Sequence, residues 1–260
     1  MIHSLNLKEF YNLHEGESCF LFGDGPSVRM IDYSFFTQKI AFTCGMQLFH
    51  RDFHKLNCPY YVLIEPFLFY SDWLLWSKKR QYLKKHRLVS NEIRDLIKAR
   101  RDMEFFLNLT NFFSIRGNNV TFLHQSLLCR DQKFKTFLNN QINPFASSYH
   151  SLLSLAMIMG FKKVYLVGFD AYNIKPSPYR WYQKDFDDNP YEGEMIKDPY
   201  LEIYCEDIEL FNISVEPTKS LANHYSYEEF SGEKATLQDN LSIINNSYID
   251  LMKKRFKDIE

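Results

Sequence analysis

No apolar run in the chain approaches the ~20 residues that span a bilayer. Met1 to Gly16 is polar and charged and lacks the apolar stretch of a signal peptide. Net charge is nearly absent too. The formal value is −1 over 260 residues, so the molecule as a whole offers no electrostatic case for binding nucleic acid. No Cys-x-x-Cys occurs. The five cysteines (Cys19, Cys44, Cys58, Cys129 and Cys205) are odd in number and widely spaced. That argues against a disulfide framework or a zinc site and for reduced, mostly buried thiols in a cytosolic protein. There is no internal repeat, no low-complexity tract, no Gly-x-Gly-x-x-Gly, no Walker loop and no Ser/His/Asp or Cys/His signature. What remains is a globular chain, soluble or at most peripheral to a membrane. Its length suits one large domain or a domain with a subdomain.

What the sequence does have is aromatic side chains, 17% of all residues, which are expected to supply much of the core and of any binding surface. Residues 5–14 have helical spacing and stop at Gly16. Three short, β-rich apolar runs follow at 18–23, 39–44 and 59–65, as expected of strands buried on both faces of a parallel sheet. Residues 67–115 read as a basic, amphipathic helical insertion, with Lys78-Lys79-Arg80, Lys84-Lys85-His86-Arg87 and Lys98 to Arg101 as its charged runs. The insertion is either a solvated face or a contact, through 78–101, with an anionic membrane surface, where each basic residue adds about 1 kcal/mol. A strand at 119–123, an apolar helix at 148–160 with a glycine stop, and a strand at 163–168 come next. Residues 173–219 are rich in Pro, Asp, Tyr and Glu and read as a long loop, and 236–256 as a final amphipathic helix. The order predicts an α/β fold: a Rossmann-like, doubly wound, mostly parallel sheet with a helical insertion and a C-terminal lid segment. On this reading 1–172 is the nucleotide-binding domain, 173–235 the lid or acceptor segment, and 236–260 a helix packing back.

The stretch with most chemical promise is Phe20 to Ser27. It reads as a buried strand entering the turn Gly23-Asp24-Gly25-Pro26-Ser27. Gly23 and Gly25 can take positive φ and admit a ligand close to the backbone. Pro26 suits a first helical turn and Ser27 adds a hydroxyl, together making a candidate anion site. Asp170 to Tyr172 lies at the carboxyl end of the 163–168 strand, where open α/β sheets hold ligands. Ser147 and Ser148 begin the apolar helix and are expected on the same rim, as phosphate-site hydroxyls or as ordinary caps. His50 and His54 have metal-ligand spacing, but the glutamate and third ligand are missing, so no metal site is predicted. His150 reads as a satisfied core histidine. His224 sits in a polar loop with Glu228 and Glu229 and could act as a general base.

Four segments, in order, carry a family resemblance: Gly23 to Ser27 with Ile31-Asp32-Tyr33, Phe42-Thr43-Cys44-Gly45, Ser147 to Gly160, and Val164 to Tyr172. Together they resemble the bacterial CMP-sialic acid-dependent sialyltransferases of the lipooligosaccharide type. They also resemble the wider set that includes flagellin-glycosylating motility accessory factors and archaeal hydroxymethylpterin diphosphokinases. With the opening Leu7 to Phe10 and His14 to Phe20, which are similar to the wider set, the likeness spans residues 7–172, and 67–115 and 173–219 lie outside it. It implies a glycosyltransferase that moves a sialic acid or related ulosonic sugar from a CMP-linked donor to a surface glycan, as in lipooligosaccharide or capsule synthesis, with inversion and without metal or cofactor. It further implies Gly23, Asp24, Gly25 and Ser148 as nucleotide-binding residues, and Pro26, Ser27, Gly45, Glu65, Ser147 and Asp170 complete the candidate nucleotide side. Tyr172, with Tyr179 or Tyr182, would hold the leaving phosphate, and His224 or Glu228 would be the base.

The sequence also departs from that family's pattern. Asp24, Gly45 and Glu65 stand where the family has asparagines, Phe145 where it has an arginine, and Glu228 where it has its catalytic histidine. Two other readings stay open. One is a magnesium-dependent diphosphokinase using Asp24, Glu65 and Asp170. The other is a non-catalytic nucleotide- or glycan-binding protein. The expected partners are a nucleotide-sugar donor and a glycan or glycolipid acceptor, with no nucleic acid and with self-association left open. The expected location is cytoplasmic, or peripheral at the inner membrane face.

Overall fold

The computed structural model describes residues 7–70, 80–125, 141–142, 147–169, 181, 201–215 and 222–237. Its strands are β1 (Ser18–Phe22), β2 (Ile40–Cys44), β3 (Tyr60–Leu63), β4 (Glu104–Asn108), β5 (Val120–Gln125), β6 (Gln141–Ile142), β7 (Lys163–Val167), β8 (Glu209–Ser214) and β9 (Asn223–Ser226). Its α-helices are α1 (Arg80–Ala99), α2 (Ser148–Ile158), α3 (Leu201–Cys205) and α4 (Tyr227–Ser231). The fold is α/β and Rossmann-like, as the sequence predicts. The chain divides into two compact units, one formed by Met1–Glu9, Pro59–Ser151 and Asn245–Glu260, the other by Phe10–Cys58 and Leu152–Ile244.

The second unit carries the glycine turn. Its strands run parallel in the order β2-β1-β7-β8-β9. Chain order therefore reverses at β1, with β2 on one side and the much later β7 on the other. Such a reversal opens a crevice at the carboxyl ends of the strands. Phe20, Phe22, Ala41, Phe42, Val164 and Leu166 are buried, which explains their unbroken apolar runs. Aromatic rings pack around them: Phe20 on Phe36 at 5.1 Å, Phe36 on Phe230 at 5.2 Å, and Tyr165 on Phe211 at 5.0 Å. The first element is a 3-10 turn, Leu7–Phe10, rather than a two-turn helix. Beyond it Asn12, His14 and Gly16 donate their N–H groups to the carbonyls of Ile158, Met159 and Gly160. The leading segment thereby satisfies carbonyls that the end of α2 leaves open. Gly160 makes the predicted stop, at φ +85°.

In the first unit β3, β4, β5 and β6 lie side by side in that order, all parallel. Here the helical reading of 67–115 needs correction. Glu104–Asn108 is a strand, and α1 is the crossover helix between β3 and β4. Phe105, Phe106 and Leu107 are buried. A short apolar run with no glycine or proline to punctuate it is indistinguishable by pattern from the end of a helix. The long loop expected at 173–219 likewise contains α3 and β8, whose Leu210, Phe211 and Ile213 are buried. From residue 238 onward the predicted final helix lies outside the described residues.

Among the described residues no helix is long and apolar enough to cross a membrane. The basic character of α1 is partly balanced at its end, where Lys98 pairs with Asp95 at 3.1 Å and, just beyond, Arg100 with Asp102 at 2.7 Å. Cys19, Cys44 and Cys58 are buried and Cys205 is exposed, none of them in a disulfide. Burial pushes the Cys19 thiol well up, out of reach of the nucleophilic thiolate.

Candidate functional site

The turn after β1 is built by close approach between two strand ends. The N–H of Gly23 donates to the Val167 carbonyl at 2.8 Å and that of Gly25 to the Gly168 carbonyl at 2.6 Å. A Cβ on Gly23 would lie 2.7 Å from the Gly168 carbonyl oxygen and 2.8 Å from the Phe169 ring. This corrects the expected reason for the glycines. Positive φ occurs at Gly45 (+62°) and Gly168 (+72°) but not at Gly23, and Gly25 is extended at φ −66°, ψ 161°. The space at Gly23 is taken by the end of β7 and Phe169. Pro26 begins a helical turn as predicted, but that turn is a single 3-10 stretch, Pro26–Met30, with no side-chain cap. It lacks the length of a helix with a developed dipole. Ser27 is buried within it.

Asp24 is the hub of the site. Its carboxylate accepts the Met46 N–H through both oxygens, at 3.2 and 3.0 Å, and the Trp181 indole N–H at 3.2 Å. Its carbonyl accepts the Trp181 backbone N–H at 2.9 Å. Gly45 sits directly beneath. A Cβ there would overlap Asp24 Oδ2 and lie 2.9 Å from its Cγ. Two of the departures from the sialyltransferase-like pattern, Asp24 and Gly45, are therefore two halves of one contact. The acid occupies the space that a side chain at 45 would need, and the glycine turn supplies the N–H that binds it.

A ring of further side chains supports this contact. Gln47 donates to the Gly23 carbonyl at 2.6 Å and accepts the Tyr33 hydroxyl at 2.6 Å. Tyr33 stacks on His50 at 4.3 Å, and the edge of His50 meets Trp181 at 4.8 Å. Burial, with the negative charges of Asp24 and Asp52 adding to it, pushes the Tyr33 phenol well up, so it stays a neutral donor. His50 Nδ1 accepts the Asp52 N–H at 3.1 Å, which fixes the tautomer with its proton on Nε2. Burial lowers the His50 pKa to about 4, and Nε2 is buried without a hydrogen-bond partner among the described residues. His50 and His54 stand in separate turns rather than on one helix, with His54 Nδ1 against the Arg51 carbonyl at 3.0 Å. No three metal-ligating side chains gather among the described residues.

The remaining candidates fall as follows. Ser147 caps α2: its Oγ accepts the His150 N–H at 3.3 Å and meets His150 Nδ1 at 2.6 Å, which also gives His150 the satisfied role expected of it. Ser148 is half-buried in the first turn of α2. Glu65 follows β3, and its carbonyl accepts the Asn111 side chain at 3.0 Å. His224 is on β9, not in a loop, and its Nε2 meets Ser214 Oγ at 2.9 Å. Glu228 is exposed in the first turn of α4, whose capping box is formed by Ser226 and Glu229. Asp170, Tyr172, Tyr179 and Tyr182 lie outside the described residues. Gln47, His50 and Trp181 were not legible as site residues. Trp181 lies in the aromatic run Tyr179, Trp181 and Tyr182, but its partner is 157 positions away.

The structural neighbours are glycosyltransferases. The MAf glycosyltransferase from Magnetospirillum magneticum AMB-1 matches over 96% of this chain, with TM-score 0.49 and 12% identity. The chain spans only 41% of that protein. The sialyltransferase CST-II, solved with a trisaccharide acceptor and CMP, matches over 92% of this chain and 100% of its own, with TM-score 0.46 and 14% identity. CstII from Campylobacter jejuni, solved with the substrate analogue cytidine-5'-monophosphate, matches over 93% and 99%, with TM-score 0.44 and 15% identity. No family model matches the chain, and neither does any curated protein sequence.

Proposed function

We propose that the protein is an inverting, metal-independent glycosyltransferase that moves a sialic acid or related ulosonic sugar from a CMP-linked donor to a surface glycan. The observation that carries this reading is the juxtaposition at the β1/β7 crevice. There Gly23 to Gly25 close against Gly168, and Asp24 binds Trp181 through both backbone and side chain. Trp181 lies in the chain between Tyr179 and Tyr182, the candidate phosphate residues beside Tyr172. Its docking ties the lid segment to the turn that would face the nucleotide.

In the proposed step an acceptor hydroxyl oxygen attacks the anomeric carbon of the donor sugar. The bond from that carbon to the phosphate oxygen breaks, and CMP leaves with the electron pair. Tyr172, with Tyr179 or Tyr182, donates hydrogen bonds to the departing phosphate. The acceptor proton passes to a base. We favour His224 over Glu228 for that role, because Ser214 holds one ring nitrogen of His224 and so orients the other, whereas Glu228 is exposed. Ser148, at the start of α2, is assigned to the nucleotide. The protein acts at a cytoplasmic membrane face where such glycans are assembled.

The direct test is transfer from CMP-sialic acid to oligosaccharide acceptors in the presence of EDTA. Tyr172→Phe and His224→Ala are each expected to lower kcat at least a hundredfold. Full transfer by both variants would remove these assignments, and transfer that requires magnesium would overturn the metal-independent step.

A further inference from the structure

The turns after β1 and β2 meet at one rim of the sheet, because Phe22 and Thr43 are register partners in adjacent parallel strands. The turn after β2 has the shape of an anion seat. Gly45 has φ +62°, and Met46 follows at φ −93°, ψ 6°. A reversal of this kind turns successive backbone N–H groups toward one side and makes a concavity that suits a negatively charged oxygen. The chain fills that concavity itself. The Met46 N–H bonds both oxygens of the Asp24 carboxylate, at 3.2 and 3.0 Å. Gly45 leaves room for the carboxylate, since a Cβ there would overlap Oδ2.

Asp24 is held in the seat from its other side as well. The Trp181 indole N–H donates to Oδ1 at 3.2 Å, and the Trp181 backbone N–H donates to the Asp24 carbonyl at 2.9 Å. Trp181 is itself fully buried, with the edge of His50 against it at 4.8 Å. Gly23 and Gly25, on either side of Asp24, are tied to the carbonyls of Val167 and Gly168. The backbone that carries the carboxylate is therefore fixed, and two N–H donors from separate segments converge on the carboxylate. A phosphate or carboxylate of a ligand brought to this corner would have to displace Asp24 from both donors or lie against its negative charge.

We infer that Asp24 decides which part of a ligand the crevice admits here: it is a built-in anion that fills the Gly45–Met46 seat and bars a phosphate or carboxylate from it. A ligand meets Asp24 with an uncharged, hydroxyl-bearing part, and its own negative charge lies elsewhere in the site. Applied to a CMP-linked donor, this deepens the transferase reading above and rests on it. The occupied seat does not depend on that reading.

The test uses the full chain, inorganic phosphate as the probe, and three variants: Asp24→Gly, Asp24→Asn, and Asp24→Gly combined with Gly45→Ala. Phosphate binding is followed by calorimetry and the Met46 amide by NMR. In the parent the Met46 amide signal should stay in place as phosphate is added, because Asp24 keeps the seat. Asp24→Gly empties the seat and should bind phosphate about tenfold or more tightly than the parent, the gain expected when N–H donors receive a charged acceptor. Asp24→Asn removes the charge but keeps an oxygen within reach of the same donors, so its gain should be much smaller. Gly45→Ala puts a methyl group where the anion would sit and should cancel the gain in the Asp24→Gly protein. The proposal is overturned if phosphate moves the Met46 amide of the parent, if Asp24→Gly gains no more than Asp24→Asn, or if the gain survives Gly45→Ala. Should Asp24→Gly fail to fold, the Met46 amide decides: it must shift between the parent and Asp24→Asn and ignore phosphate in both. Stabilisation of the parent by CMP is measured separately. Stabilisation by CMP without a phosphate gain in Asp24→Gly would remove the seat and leave the transferase reading standing. A phosphate gain without stabilisation by CMP would do the reverse.

Discussion

The contact between Asp24 and Gly45 gives the sharpest quantitative expectation. Replacing Gly45 with alanine places a methyl group on a backbone at φ +62° and directly over Asp24 Oδ2. The left-handed conformation alone costs about 1–2 kcal/mol. The overlap adds to this by forcing the carboxylate away from the Met46 N–H, the Trp181 indole N–H, or both. Hydrogen bonds to a charged acceptor contribute about 1.5–3 kcal/mol each. The whole loss should be about 3–6 kcal/mol, a large part of the ~5–15 kcal/mol that holds an ordinary domain folded. In an Asp24→Gly background the overlap is gone, and Gly45→Ala should cost only its backbone term. Urea unfolding of the four proteins of this cycle should therefore return a coupling of about 2–4 kcal/mol. Indole fluorescence, read with Trp73 and Trp76 replaced by phenylalanine, should show Trp181 becoming more exposed to solvent in both single variants. Costs that add to within about 0.5 kcal/mol would refute the reasoning, because the two residues would then not share one space.

Two further outcomes follow from the same neighbourhood. The His50 pKa falls from an ordinary 6.5 to about 4 on folding, so the unfolded chain binds more protons between those values. His50 thus contributes its full share of stability above pH 6.5 and loses it as the pH falls, by up to about 3 kcal/mol near pH 4. His50→Phe keeps the stack on Tyr33 and should flatten the stability profile between pH 6.5 and 4, and an unchanged slope in denaturant titrations would contradict the burial argument. Phe36, fully buried against Phe20, Phe22 and Phe230, should cost about 3–5 kcal/mol on truncation to alanine, seen as a lower urea midpoint.

The parallel α/β architecture was readable because β1, β2, β3 and β7 are continuous apolar runs bounded by glycine, proline or charge. β4 was not, since Glu104-Phe-Phe-Leu-Asn108 follows a long basic helix without a breaking residue. β8 was hidden inside 173–219, whose composition suggests a loop, and β9 inside the polar stretch around His224. The glycine turn was found, but for a reason that the structure replaces. Sequence suggests conformational freedom at Gly23 and Gly25, whereas the need at Gly23 is space for Gly168 and Phe169. That need is set by a strand more than a hundred residues later, as is the bond from Trp181 to Asp24. Local pattern reports local constraints, and this site is held mainly by distant ones. The pairing of Asp24 with Gly45 is the clearest example. As separate letters they look like two losses from a family pattern, while in space they are one contact.

The most direct measurement is a thermal-shift panel of CMP, CDP, UDP, GDP and ATP, each with magnesium and with EDTA. A ligand present at a hundred times its dissociation constant stabilises by about 2.7 kcal/mol, enough to raise Tm by roughly 5 °C or more in a chain of this size. The transferase reading predicts the largest shift with CMP, equal in magnesium and in EDTA. A shift with ATP that requires magnesium, or no shift with any cytidine nucleotide, would contradict it.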